Sequence, residues 1–185
     1  VQLDIDPSVV DLAEGKHPVV GDGCRLPFKD DAFDIVVSVD SLEHVPADLR
    51  ESYILEAKRV AKDALVFHFP VDSEDGEFVG RSSDKRFQDW HIEYNGHPEP
   101  NTAEHLRDGY PTISELIKHF DEEDIVGVQN ESVWFQYMTF GRRPALRAFT
   151  GLYYYIFLKH HDNQPPYHGC LIDHEITRKE HNQDS

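Results

Sequence analysis

Positive charge is scarce in this chain. Eight lysines and ten arginines stand against 35 acidic residues, a formal net charge of −17 over 185 residues. A surface of that sign repels phosphate backbones and anionic headgroups, which argues against generic nucleic-acid or membrane-surface binding. The acidic excess favours solubility, and the few lysines lean toward a salt-adapted source. Cysteine is nearly absent. Cys24 and Cys170 are far apart and make neither a disulfide framework nor a zinc-ligand spacing; a cytoplasmic, reducing setting is expected. Long apolar runs are missing. The stretch from Leu152 to Leu158 falls far short of the roughly 20 residues that span a bilayer, and no signal peptide is visible. Internal repeats and low-complexity tracts are absent too. So is an initiating Met, and a chain opening at Val1 reads as a fragment or a trimmed chain.

What is present suits one globular domain. Hydrophobic residues make up 39%, with 11 Phe, 8 Tyr and 2 Trp, enough for a single core. Residues 1–5 read as a short strand ending in an acidic turn. Pro7 suits the first turn of a short helix over residues 8–14. Residues 17–20 read as a second strand, broken by Gly21-Asp22-Gly23. Phe33–Val39 and residues 64–69 are near-continuous apolar runs of strand length, the pattern of strands covered on both faces in a parallel sheet. Between them Pro46 opens a helix in which Val45, Leu49, Tyr53, Ala57 and Val60 recur at helical spacing. Strands alternating with helices predict an α/β fold.

The character changes after Pro70. Residues 71–111 are polar and too long for an ordinary connection, so they read as an insertion or lid. Residues 112–120 predict a helix, 125–128 and 133–140 two strands of an antiparallel hairpin, and 144–158 an aromatic helix. The tail from Ile176 is polar and expected to fray. On this reading residues 1–160 form the domain and 161–185 a C-terminal extension.

Two carboxylates carry the chemistry. Asp4 ends the first strand and Asp22 the second, and ligands of open α/β sheets bind outside such strand ends. A carboxylate there can accept from both hydroxyls of a ribose, and a second one strand over can accept from an adenine amino group. Gly23 would let the backbone approach the ring. Each aspartate could equally cap a turn.

The run VVGDGCRLPFKDDAFDIVVSVDSLEHVP resembles the class I S-adenosylmethionine-dependent methyltransferases of the type 11 group. The matching residues are Asp4, Gly21-Asp22-Gly23, Leu26-Pro27-Phe28, Phe33-Asp34 and Leu42-Glu43-His44-Val45. The resemblance spans residues 1–70, continues loosely through EHLRDGYPTISELIKHF, and fades after Phe140. It implies a Rossmann-like sheet, mostly parallel with a C-terminal antiparallel hairpin. The family's first strand and glycine-rich loop would precede Val1, and Lys62-Asp63 replaces its usual Pro-Gly-Gly. By resemblance, Asp4 holds the ribose and Ile5 flanks the adenine. Asp22, Gly23 and Cys24 read the adenine edge, and Ser38 and Val39 offer backbone groups to the methionine end. S-adenosyl-L-methionine is thus the implied cofactor and a small molecule or metabolite the implied acceptor.

Methyl transfer needs an aligned nucleophile, and a plain alcohol also needs a base. Asp40, His44, His68, His91 and His105 are the candidates. Asp40 directly follows a strand end and ranks first for substrate contact; His44 could face the substrate or stabilise the helix start. His91, Glu93, His97, Glu99 and His105 do not match a compact metal motif on a helix, so no metal is expected. Two other readings compete. Tyr155 and Lys159 have the Tyr-x-x-x-Lys spacing of short-chain NAD(P)-dependent dehydrogenases, but no catalytic Ser precedes them after a central strand. A methyltransferase-like interaction protein without catalysis is the other. The aromatic C-terminal run cannot bury all its faces on one small sheet, which makes it a candidate surface for homo-oligomer formation. An incomplete cofactor pocket would make the chain bind S-adenosylmethionine poorly and self-associate.

Overall fold

Strands form where the apolar runs are. The computed structural model describes residues 1–10, 17–159 and 165–173. Strands β1 (Gln2–Asp4) and β2 (Pro18–Val20) pair in parallel, with Asp4 opposite Val20. Strands β3 (Phe33–Val39), β4 (Ala61–Pro70), β5 (Ile125–Asn130) and β6 (Pro166–Asp173) form a second sheet in the order β3-β4-β6-β5. The helices are α1 (Pro7–Val10), α2 (Arg50–Val60), α3 (Gly80–Asn95), α4 (Pro100–Asp108), α5 (Ile113–Leu116), α6 (Glu131–Gly141) and α7 (Thr150–Tyr153). The architecture is α/β, with one parallel strand pair and a four-stranded sheet that is antiparallel between β5 and β6. Among the described residues no helix is long and apolar enough to cross a membrane.

The antiparallel pairing near the C-terminus is present, but its two strands are not joined by a short turn. β5 pairs with β6, Val126 opposite Cys170 and Val128 opposite His168. Residues 133–140, expected as the second strand, lie in α6. The Asn130 side chain explains why: its Oδ1 accepts from the Ser132 and Val133 amides at 2.9 and 3.1 Å, and so caps a helix. The buried Trp134 of α6 then packs on Phe87 and Tyr167. The segment assigned to a C-terminal extension contains β6, an interior strand of the sheet. Pro166 at its first residue and Gly169 in its middle hide that strand from a propensity reading.

Residues 71–111, read as an insertion or lid, hold two packed helices, α3 and α4, and α3 buries Ser83, Asp84, Phe87, Gln88 and His91. Gly96, at φ +78°, closes α3 in the left-handed conformation that glycine accepts without strain. Glu99 then caps α4 by accepting from the Thr102 amide, with Pro100 in the first turn. Gln88 clamps the joint, donating to the Glu99 carbonyl at 3.1 Å and accepting from its amide at 2.7 Å.

Other expectations shift in extent. The Pro46 helix begins at Arg50, and the 112–120 helix shortens to α5, with a capping box between Thr112 and Glu115. The aromatic 144–158 segment breaks into short helical turns, and its Leu152, Tyr155, Ile156 and Phe157 are exposed. β3 stands at one end of its sheet, and it is not covered on both faces as expected: Ile35, Val37 and Val39 are 60, 60 and 53% exposed. The helix expected over 8–14 is described as far as Val10, and the tail from 176 lies outside the described residues.

By its contacts the chain divides into two units. One comprises Val1–Ser38, Val45–Val66 and the described residues from 172 on; the other comprises Val39–His44 and Phe67–Leu171. In the first, Arg59 of α2 donates to the Phe28 and Leu26 carbonyls at 2.8 and 3.2 Å, while Glu56 accepts the Leu26 amide at 2.7 Å. One helical turn thereby holds the Leu26-Pro27-Phe28 loop. In the second, Phe87, Trp134 and Tyr167 form a buried aromatic cluster against Trp90, Phe135 and Met138.

Candidate active site

The strand-end carboxylates lie where the sequence put them. Asp4 closes β1 and Asp22 follows β2, at the same end of a parallel pair. Each also makes a local turn bond: Asp4 Oδ1 accepts the Asp6 amide at 2.9 Å and Asp22 Oδ1 accepts the Cys24 amide at 2.8 Å. Ile5 beside Asp4 is exposed. Gly23 is required by its neighbour, because a Cβ there would stand 2.3 Å from the Tyr53 ring. The Tyr53 hydroxyl is 2.9 Å from Ser38 Oγ, so the buried Ser38 side chain is held inward. Burial pushes the Cys24 thiol up, which keeps it protonated. Asp4, Asp22, Gly23, Cys24 and Ser38 belong to the first unit, and Val39, Asp40 and His44 open the second.

In the second unit, two groups of histidines and carboxylates draw together. Asp40 follows β3 at φ +46°, a left-handed conformation that Asp tolerates better than most residues. Its amide donates to the His68 carbonyl at 2.8 Å. Its Oδ1 stands 3.2 Å from His168 Nε2 and 3.8 Å from His68 Nδ1. The His68 and His168 rings stack with centroids 4.4 Å apart. Burial pushes the His168 imidazole down, toward its neutral form.

The other group is built on a fully buried carboxylate. Asp84 of α3 is 0% exposed and accepts from the Tyr110 hydroxyl at 2.6 Å, the Tyr167 hydroxyl at 2.7 Å and His105 Nδ1 at 2.8 Å. His105 Nε2 is then left as an acceptor, 3.2 Å from His44 Nε2. With both rings neutral, His44 donates from Nε2 and keeps a bare Nδ1, which faces Glu104 at 3.8 Å. Burial pushes the His44 pKa down, toward the neutral form that can accept a proton. Beside it Glu43, buried and raised to about 7 mainly by desolvation, has an Oε2 without a hydrogen-bond partner among the described residues.

Residues 1–67 match the model of the methyltransferase domain family. The matched segment is about a third of the chain. It contains every cofactor-binding residue expected from the sequence, together with Asp40 and His44. No curated protein matches the chain. Solved structures resemble it weakly. The YcgJ protein of Bacillus subtilis is 18% identical, covers 92% of this chain and 77% of its own, and superposes with a TM-score of 0.45. A candidate sarcosine dimethylglycine methyltransferase of Galdieria sulphuraria is 16% identical over 92% and 67% of the two chains, TM-score 0.47. A candidate methyltransferase of Bacillus halodurans C-125 is 16% identical over 92% and 78%, TM-score 0.43.

Of the base candidates, the structure brings Asp40 together with His68, and His44 with His105. It sets His91 apart, its Nδ1 2.9 Å from the His97 carbonyl. Glu99 of the same stretch serves as the α4 cap. Tyr155 is exposed with the Lys159 ammonium 3.7 Å from its ring centroid, a cation–π contact on an outer turn. Sequence reasoning missed Asp84, Tyr110, Tyr167 and His168. Their partners are 21 to 83 residues away along the chain in the hydrogen bonds to Asp84, and no local pattern announces such pairing.

Proposed function

We propose that the protein transfers the methyl group of S-adenosylmethionine to an oxygen or nitrogen of a small-molecule acceptor. The observation that carries this reading is the pair Asp4 and Asp22, ending neighbouring parallel strands inside the family-matched segment. The residues present suit such a ligand: two carboxylates for the ribose and the adenine edge, and the exposed Ile5 beside the first as an apolar wall. S-adenosylmethionine would supply a methyl group already activated on a sulfonium. Asp4 accepts hydrogen bonds from the ribose hydroxyls, and Asp22, with the Gly23 and Cys24 backbone, meets the adenine. Ser38 and Val39 offer backbone groups to the methionine end.

The chain runs directly from Val39 into Asp40, and four residues later reaches His44. In this reading His44 takes the acceptor's proton on Nδ1. Asp84 and His105 hold its ring from behind, and Glu104 stabilises the imidazolium that forms. Positioned general bases contribute about 10²–10⁴-fold. The test is calorimetry of the full-length protein with S-adenosylmethionine, followed by a methyltransferase acceptor screen with wild type and His44→Gln. Binding of the cofactor, and a turnover that falls by about 10²-fold or more in the variant, supports the reading. Absence of cofactor binding contradicts it.

A further inference from the structure

His68, His168 and Asp40 sit on three successive strands of one sheet: His68 within β4, His168 within β6, and Asp40 at the end of β3. Their ligand atoms, His68 Nδ1, His168 Nε2 and Asp40 Oδ1, all lie within 4.8 Å of one another. The question is what hydrogen atoms hold them together. His168 Nδ1 is bonded to Gln129 Oε1. An amide oxygen can only accept, so Nδ1 carries a proton, and in the neutral ring Nε2 presents a lone pair. That lone pair faces the Asp40 carboxylate oxygen at 3.2 Å, acceptor against acceptor. His68 Nδ1 is buried and has no hydrogen-bond partner among the described residues; at 3.8 Å it is too far from Asp40 Oδ1 to form one.

A water does not resolve this. A water donating to two acceptors at ordinary hydrogen-bond lengths needs them about 4.4 Å apart, well beyond the observed 3.2 Å. A cation does. Metal–ligand bonds of about 2.0–2.2 Å at tetrahedral angles set ligand atoms about 3.3–3.6 Å apart. The observed 3.2 and 3.8 Å bracket that spacing. The Gln129 bond is also the support a metal-bound histidine needs on its other nitrogen. Gln129 is itself held at φ +63°, a rare conformation for a residue of its type. In the second histidine group, by contrast, both His105 nitrogens have partners in Asp84 and His44.

We propose that Asp40, His68 and His168 bind one divalent first-row transition ion of the zinc type, oriented by Gln129. Two imidazoles and one carboxylate suit such an ion rather than magnesium or calcium, which take oxygen ligands. Three protein ligands leave a coordination position open to a water or a substrate oxygen. The expectation of no metal from the sequence rested on a different set of residues, around His91 to His105. The ion does not depend on the methyl-transfer reading, and its test reads binding rather than turnover.

The experiment is titration of the chelator-treated full-length protein with Zn²⁺ by calorimetry and with Co²⁺ by visible absorption. One ion per chain is expected, with ligand-field bands in the Co²⁺ form. Asp40→Asn keeps a residue that tolerates the left-handed backbone, and should weaken binding at least 10-fold with an unchanged circular dichroism spectrum. The double variant His68→Asn/His168→Gln should abolish the bands. Gln129→Leu should weaken binding about 10–100-fold, whereas His105→Gln should bind as wild type. An adventitious ion at scattered histidines would give weak, non-stoichiometric binding indifferent to Asp40→Asn, and would overturn the proposal. So would stoichiometric binding lost in His105→Gln but kept in the double variant. A chain that binds no ion while folded has a simple Asp40–His168 ion pair instead, and that outcome also refutes it.

Discussion

His105 donates its Nδ1 proton to Asp84 across 2.8 Å, and Asp84 is wholly buried between two tyrosine hydroxyls. With His105 neutral, this pairing leaves its Nε2 to accept from His44. It also ties α3 to α4 and to β6, so one carboxylate serves both stability and the orientation of the proposed base.

Asp84→Ala should therefore be among the most destabilising single changes in the protein. It leaves two phenol hydroxyls and an imidazole N–H buried without their acceptor, for a cost of about 3–5 kcal/mol. Urea denaturation of wild type and variant measures it. A loss below about 1 kcal/mol would mean that water replaces the carboxylate without difficulty.

The same carboxylate makes a pH prediction. Burial, then the charge of Asp84, pushes the Tyr110 and Tyr167 phenols well above their ordinary range. A folded-state pKa raised above the unfolded value gives stability that is fully present below the unfolded value of about 10 and is lost as pH rises above it. Denaturation midpoints should hold up to about pH 10 and fall beyond it. In an absorbance titration of the folded protein, Tyr110→Phe should leave the ordinary tyrosinate step undiminished. A smaller step in that variant would show that Tyr110 ionises normally.

Much of the first sheet pair and β3 was legible because the signal is local. An apolar run of strand length, a terminal aspartate and a Gly-Asp-Gly break lie within a few residues of each other, so the strand-end positions of Asp4, Asp22 and Asp40 can be read from local sequence. The α6 helix was misread because its apolar residues suit a strand equally well, and the deciding feature is a single Asn130 cap. β6 was missed because Pro166 and Gly169 break the strand pattern, although its sheet neighbours supply the pairing. With β6 went His168. Asp84 was invisible for another reason: a lone aspartate in a polar helix looks like a solvated residue until distant tyrosines close over it.

Gly23 offers a test within the first unit. Gly23→Ala forces the Tyr53 ring to move, since the new methyl would lie 2.3 Å from it, and so strains the Tyr53–Ser38 bond of 2.9 Å. A cost of about 1–3 kcal/mol is expected, as for other overpacked sites. Combining it with Tyr53→Ala should cost less than the sum of the two single changes, because the shared clash is gone. Strict additivity in thermal denaturation would place the glycine's role elsewhere.

The central claim is that Asp4 holds the ribose of S-adenosylmethionine, and calorimetry on the full-length protein tests it most directly. Titrations with S-adenosylmethionine, S-adenosylhomocysteine and NAD should give binding of the first two and none of the third. Asp4→Ala should weaken the first two about 10-fold or more, because it removes charge-assisted hydrogen bonds worth about 1.5–3 kcal/mol each. Binding of NAD in preference to S-adenosylmethionine, or an Asp4→Ala variant with unchanged affinity, would contradict the account.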